Sequence, residues 1–147
     1  MAEQLHVAVL MFVAYRSAEN RIVEAVRAAG FADVTLAQAR IAARIGPDGT
    51  RLGELAEQAQ VAKQTATALV DRLERAGYVE RVPDPADGRA RLVRIAPKAQ
   101  RAVQIARAVE AEIDAEWTRH LGARKMAHLR EALTELRTIT DPYRTPE

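Results

Sequence analysis

The chain is 147 residues long and 48% hydrophobic, which is enough for one domain-sized body with a core, and its 22 Lys and Arg against 20 Asp and Glu leave a net charge of +2. It contains no cysteine, which excludes disulfides, thiolate metal sites and oxidant sensing through a thiol, and fits a reducing cytoplasm. Between Val61 and Arg101 nine cations stand against five anions, so the middle of the chain carries +4 and the remainder −2, a distribution that suits a polyanionic partner or a solvated basic surface.

Leu5, Val9, Phe12, Tyr15, Ile22 and Val26 recur at helical spacing and predict a long first helix ending before Ala29 and Gly30. Its run from Val7 to Tyr15 is too short for the roughly 20 residues that cross a bilayer, so it reads as a buried helix and not a membrane anchor. The run is apolar on every side, whereas packing on a single core would spare one polar face; a second apolar partner, such as another subunit, is implied. Thr35 and Gln38 form a Thr-x-x-Gln capping box for a second helix over about Leu36 to Ile45, with Gly46 to close it. Pro47, Asp48 and Gly49 make a turn, and Gly53 serves as N-cap for a helix over Glu54 to Ala59.

A tight connection at Ala59 to Ala62 leads to a longer helix from Lys63 to Arg75, stopped by Gly77. Leu55, Ala56, Ala59, Val61, Ala66 and Leu69 are the small and apolar residues that two steeply crossed helices require, at helix-turn-helix spacing. Gln60 then occupies a turn position where glycine is favoured, and Ala62 stands where a capping Ser, Thr or Asp is preferred. Tyr78 to Val82 and Arg91 to Ile95 read as strands joined by a turn-rich loop, Pro83 to Gly88. A basic hairpin directly after a helix-turn-helix makes sense as a wing that follows phosphates or enters a minor groove. Pro97 opens a further helix with Ile105, Val109, Ile113 and Trp117 every fourth residue, and Gly122 interrupts it. In the last helix Met126, Leu129, Leu133, Leu136 and Thr140 alternate steps of three and four, the spacing of a narrow helix-packing seam.

These elements predict a mainly α fold with a small β-wing: an N-terminal dimerisation helix at 1–30, a winged helix-turn-helix at 31–97 and C-terminal dimerisation helices at 98–147, together one compact intertwined unit. A two-fold dimer would bury the apolar stripes at both ends of the chain and hold two reading modules apart.

The residues argue against an enzyme. Ser17 is the single serine, His6, His120 and His128 are scattered without ligand spacing, and there is no Gly-rich phosphate loop. Glu110, Glu112, Asp114 and Glu116 read as a solvated helix face. No metal or cofactor is expected.

From the first helix through the helix-turn-helix, DRLERAGYVERVPDPADGRARLVRIAPKA and the two closing helices, the chain resembles the MarR family of transcriptional regulators over nearly its full length. Asp87, Gly88 and Arg89 with the strand LVRI and the APKA after it resemble the family's Asp-x-Arg wing. The resemblance implies a homodimer on a pseudo-palindromic operator, usually a repressor, with many members released by small phenolic or anionic effectors. It gives Arg89 a wing-tip, minor-groove role, and Asp87 the role of bracing the wing by pairing with an arginine. In this reading Lys63 and Gln64 present donors and acceptors to base edges, while Thr65 and Thr67 reach phosphate or a thymine methyl. Thr65 alternatively helps cap its helix, and Arg72 either contacts phosphate or pairs with Asp71, Glu74 or a wing acid. Arg89 and Arg91 supply salt-sensitive affinity. A ligand pocket, if the terminal helices and the reading head form one, would draw on Tyr15, Arg16 and Trp117. The alternatives are a winged helix that binds protein and a non-specific architectural DNA-binding module.

Overall fold

The computed structural model describes residues 3–144, and the chain divides after Arg107 into two compact units. In the first, α1 (Val7–Ala28) starts at His6, whose ring Nδ1 accepts the Ala8 N–H at 3.1 Å. It ends at Ala29 and Gly30, the latter at φ 112°, a backbone region that costs glycine little.

Thr35 opens α2 (Leu36–Ala42) with the expected reciprocal cap: its hydroxyl takes the Gln38 N–H at 3.1 Å, and the Gln38 carboxamide takes the Thr35 N–H at 3.0 Å. The helix stops three residues short of the expected Ile45. Arg44 and Ile45 donate to the carbonyls three residues back, at 3.0 and 3.1 Å, and this tighter turn ends the α pattern before Gly46.

Gly49 closes the following turn at φ 93°, and a Cβ there would lie 2.9 Å from that of Leu92, so glycine is needed for both conformation and space. The close approach lets Thr50 exchange two 2.9 Å backbone bonds with Val93, which ties the loop before α3 to the hairpin. α3 (Leu52–Ala59) begins two residues before the expected Glu54, and its N-cap is Arg51, not Gly53. The turn to α4 (Lys63–Arg75) places Gln60 in the left-handed region at φ 56°, ψ 45°, as the missing glycine required.

The hairpin is longer than the sequence suggested. β1 (Val79–Asp84) pairs antiparallel with β2 (Asp87–Ile95), and only Pro85 and Ala86 remain as the turn. Pro83 pairs opposite Arg91, and the register shifts between Pro83 and Asp84; a bulge on an edge strand accommodates a residue that lacks an N–H. Pro97 starts a 3-10 turn, Pro97–Ala99, and α5 (Gln100–Leu121) follows.

One apolar core closes this unit: Ile41 of α2, Leu55 of α3, Ala66, Val70 and Leu73 of α4, and Val79 and Val93 of the hairpin are buried together. Phe31 meets Tyr78 edge to face, with centroids 5.4 Å apart, and the Tyr78 hydroxyl donates to Asp33. That hydrogen bond, with burial second, pushes the Tyr78 phenol up to about 12.

The second unit carries the remainder of α5 and α6 (Ala123–Thr140), separated by Gly122 at φ 87°. Ile113 is the buried residue of α5, and α6 has none. Arg130 of α6 reaches Asp114 of α5 at 2.9 Å.

Candidate nucleic-acid interface

Burial sorts the faces of α4. Ala66, Leu69, Val70 and Leu73 point into the core, while Lys63, Gln64, Thr65, Ala68, Arg72 and Arg75 are exposed. Positions 64, 68 and 72, with 65 and 75, share one side of a helix. Ala68 and Arg75 were not singled out from the sequence; Ala68 keeps the middle of that side low, so a surface can approach closely. Thr65 makes no capping bond, which leaves α4 without a side-chain cap. The Thr67 hydroxyl donates to the Lys63 carbonyl at 2.8 Å and is not a free donor.

All five carboxylates between Val61 and Arg101 are engaged by arginines. Arg81 reaches Asp71 at 2.8 Å and Glu74 at 2.7 Å, which pins β1 to α4. Arg94 holds Glu80 across the hairpin at 2.6 Å. Arg51 donates from Nε and Nη2 to one Asp84 oxygen at 2.9 and 2.7 Å, and its Nη2 lies 3.8 Å from Asp87. The Ala86 amide first, and Arg51 second, hold the Asp84 carboxyl below the usual carboxylate range. Asp87 thus has the arginine partner expected of it, and its other oxygen accepts the Arg89 N–H at 3.1 Å.

This pairing decides where the surplus positive charge lies. Lys98 donates to the Ala76 carbonyl at 2.9 Å and sits 5.3 Å from the Tyr78 ring centroid. Among the described residues Arg75 donates only to the Asp71 carbonyl, at 3.4 Å. Lys63, Arg72, Arg75, Arg89, Arg91 and Arg101 have no carboxylate partner among the described residues and are exposed, the first five of them on α4 and the wing. Asp71 and Glu74, offered as partners for Arg72, belong to Arg81 instead, and the wing acids to Arg94 and Arg51. The Arg81 network was missed because it joins residues seven and ten positions apart on different elements.

The three residues suggested for a ligand are placed differently. The Tyr15 hydroxyl donates to Glu19 at 2.8 Å, and Arg40 of α2 grips the same carboxylate at 3.0 and 2.8 Å. Burial, then the Glu19 bond, raises the Tyr15 phenol, while Arg40 above all lowers the Glu19 carboxyl. Arg16 lies 5.5 Å from the Phe12 ring centroid. Trp117 belongs to the second unit.

Residues 32–90 match the sequence profile of the MarR family. An uncharacterized HTH-type transcriptional regulator, YsmB of Bacillus subtilis (strain 168), is 40% identical over 53 residues, which cover 36% of this chain and 36% of that protein, so the match spans about a third of its length. Over most of both chains the structure resembles transcriptional regulator Tm0710 from Thermotoga maritima, at 30% identity and a TM-score of 0.61, covering 91% and 92%. It also resembles a mutant MarR from E. coli complexed with operator DNA, at 25% identity and a TM-score of 0.65, covering 88% and 92%. With residues 32–90 spanning α2, the helix-turn-helix and the first part of the wing, the chain belongs to the MarR family of winged helix-turn-helix transcriptional regulators.

Proposed function

We propose that this protein binds duplex DNA as a homodimer, with α4 in the major groove and the wing against the flanking minor groove, and so controls transcription from a pseudo-palindromic operator. The observation that carries this reading is the charge partition. Every acid of the reading head between Val61 and Arg101 is spent on an internal arginine, while Lys63, Arg72, Arg75, Arg89 and Arg91 project without a carboxylate partner among the described residues. A face of α4 and the wing whose own acids are all paired attracts phosphate through the cations left over and repels cationic partners. Lys63 and Gln64 then read base edges, Thr65 offers its hydroxyl and Thr67 its methyl, Arg72 and Arg75 meet phosphates, and Arg89 and Arg91 serve the wing.

The apolar residues left in solvent support the dimer. Leu5, Val7, Leu10 and Phe12 are each more than half exposed, and Leu133 and Ile139 of α6 are 41% and 83% exposed. A monomer rarely leaves such stripes uncovered, and a second copy supplies a matching one. An operator dimer that covers a promoter represses it, and a small phenolic or anionic effector that reorients the two heads would release it. The likeness to a MarR complexed with operator DNA supports the operator-binding part of this reading.

Selection from a random duplex pool at two salt concentrations tests it. An enriched inverted repeat with half-sites about one helical turn apart, bound more weakly at higher salt, is the expected result. Salt-sensitive binding with no enriched sequence would replace the regulator by an architectural role. No binding at low salt would favour a protein partner.

A further inference from the structure

We infer that Arg51 is a positioning residue for the wing: by bridging Asp84 and Asp87 from the start of α3, it holds the hairpin tip, and with it Arg89, in its DNA-binding position. The inference rests on the DNA-binding reading above and assigns a role to a residue outside the recognition helix and the wing.

Three observations carry it. Arg51 occupies the N-cap position of α3, at φ −66° and ψ 144°, where a short oxygen-bearing side chain would satisfy a free N–H, yet it makes no cap. Its guanidinium is committed 33 residues away, with two bonds to Asp84 at 2.9 and 2.7 Å and an approach to Asp87 at 3.8 Å. Those carboxylates are in turn the scaffold of the tip. The second Asp84 oxygen takes the Ala86 N–H at 2.9 Å, and Asp87 takes the Arg89 N–H at 3.1 Å.

The hairpin needs this restraint. It has only two strands, and its bridge to Thr50 lies at Val93, well away from the tip. A two-stranded ribbon is marginal in water by itself, and the bulge at Pro83 and Asp84 interrupts the ladder where the tip begins. Asp84 is nevertheless buried, at 8% exposure, between the turn amide and Arg51. Among the described residues, Arg51 is the side chain outside the hairpin that bonds the tip. Losing it frees Arg89 to sample orientations that DNA binding must then suppress at an entropic cost.

Arg51→Thr separates wing positioning from general folding, because threonine can cap α3 while abolishing the bridge. The expected result is a melting temperature at or above that of the parent protein, with amide exchange at Ala86 and Arg89 faster by roughly tenfold or more in the free protein. Affinity for the selected duplex should fall roughly tenfold with the ranking of sequences unchanged, because the disordered contact is the wing's charge-driven one and not the base reading of α4. Asp84→Asn should reproduce the loss, and the double variant should be no weaker than Arg51→Thr alone. Unchanged exchange at both amides would overturn the inference. So would losses that multiply in the double variant, which would make Arg51 a direct DNA contact. Exchange is read without DNA, so failure of the latch and failure of the DNA-binding reading are told apart.

Discussion

The reading head and the terminal helices solve the burial problem in opposite ways. In the head, α2, α3, α4 and the hairpin close on Ile41, Leu55, Val70, Leu73 and Val93, all at most 2% exposed, and the acids between Val61 and Arg101 are neutralised internally. In the first half of α1 and along α6, large apolar side chains stay in solvent. The head is therefore complete as one chain, and its α4 and wing display the cations that their acids leave uncompensated. The ends are incomplete as one chain and display apolar surface, which a second copy can cover.

The difference is sharpest under substitution. Leu73→Ala, at 2% exposure, leaves a cavity in the head and should cost about 2–5 kcal/mol in a chemical denaturation that does not depend on protein concentration. Leu10→Asp with Phe12→Asp should leave the head folded but yield monomers by sedimentation. Operator affinity should then fall by about 100-fold or more as two linked half-sites become two separate ones. A stable dimer in that variant would break the comparison.

Smaller effects separate charge from packing within the head. Arg89→Ala should weaken binding to all duplexes by roughly 10–30-fold at physiological salt and reduce the log–log salt slope by about 2 for a dimer, with melting unchanged. Glu19 tests the seam where α1 meets α2. Arg40 lowers its carboxyl in the folded state, so its contribution is present at neutral pH and is lost as the pH falls through the usual carboxylate range and past the folded value. The parent protein should lose stability on acidification below about pH 5, and Glu19→Gln should flatten that part of the profile. The smallest change is Gln60→Gly, which relieves a left-handed backbone at φ 56° and should raise stability by about 0.5–1 kcal/mol, less the bond from the Gln60 carboxamide to the Glu57 carbonyl.

What was legible in the sequence was what neighbours determine. The Thr35 capping box, the span of α4, the backbone of Gln60 and the break at Gly122 depend on residues within a turn or two, and each stands as read. Element ends set by distant partners were misplaced. α3 starts early at an Arg51 held by Asp84, and the strands run on to Asp84 and Asp87 because pairing overrides the turn character of Pro83 and Gly88. The charge surplus was visible as a count. Which cations compose it depended on Arg81 and Arg51 taking the acids, and that required the fold.

The central claim is that a recognition helix and wing with their acids spent present their remaining cations to phosphate, twice over in a dimer. The most direct measurement is the affinity of the parent protein for its selected duplex across a range of salt concentrations. The five such cations on α4 and the wing of each of two heads correspond to a slope of about −9, and the account predicts a log–log slope steeper than about −5. A slope near zero, or no complex at low salt, would contradict it.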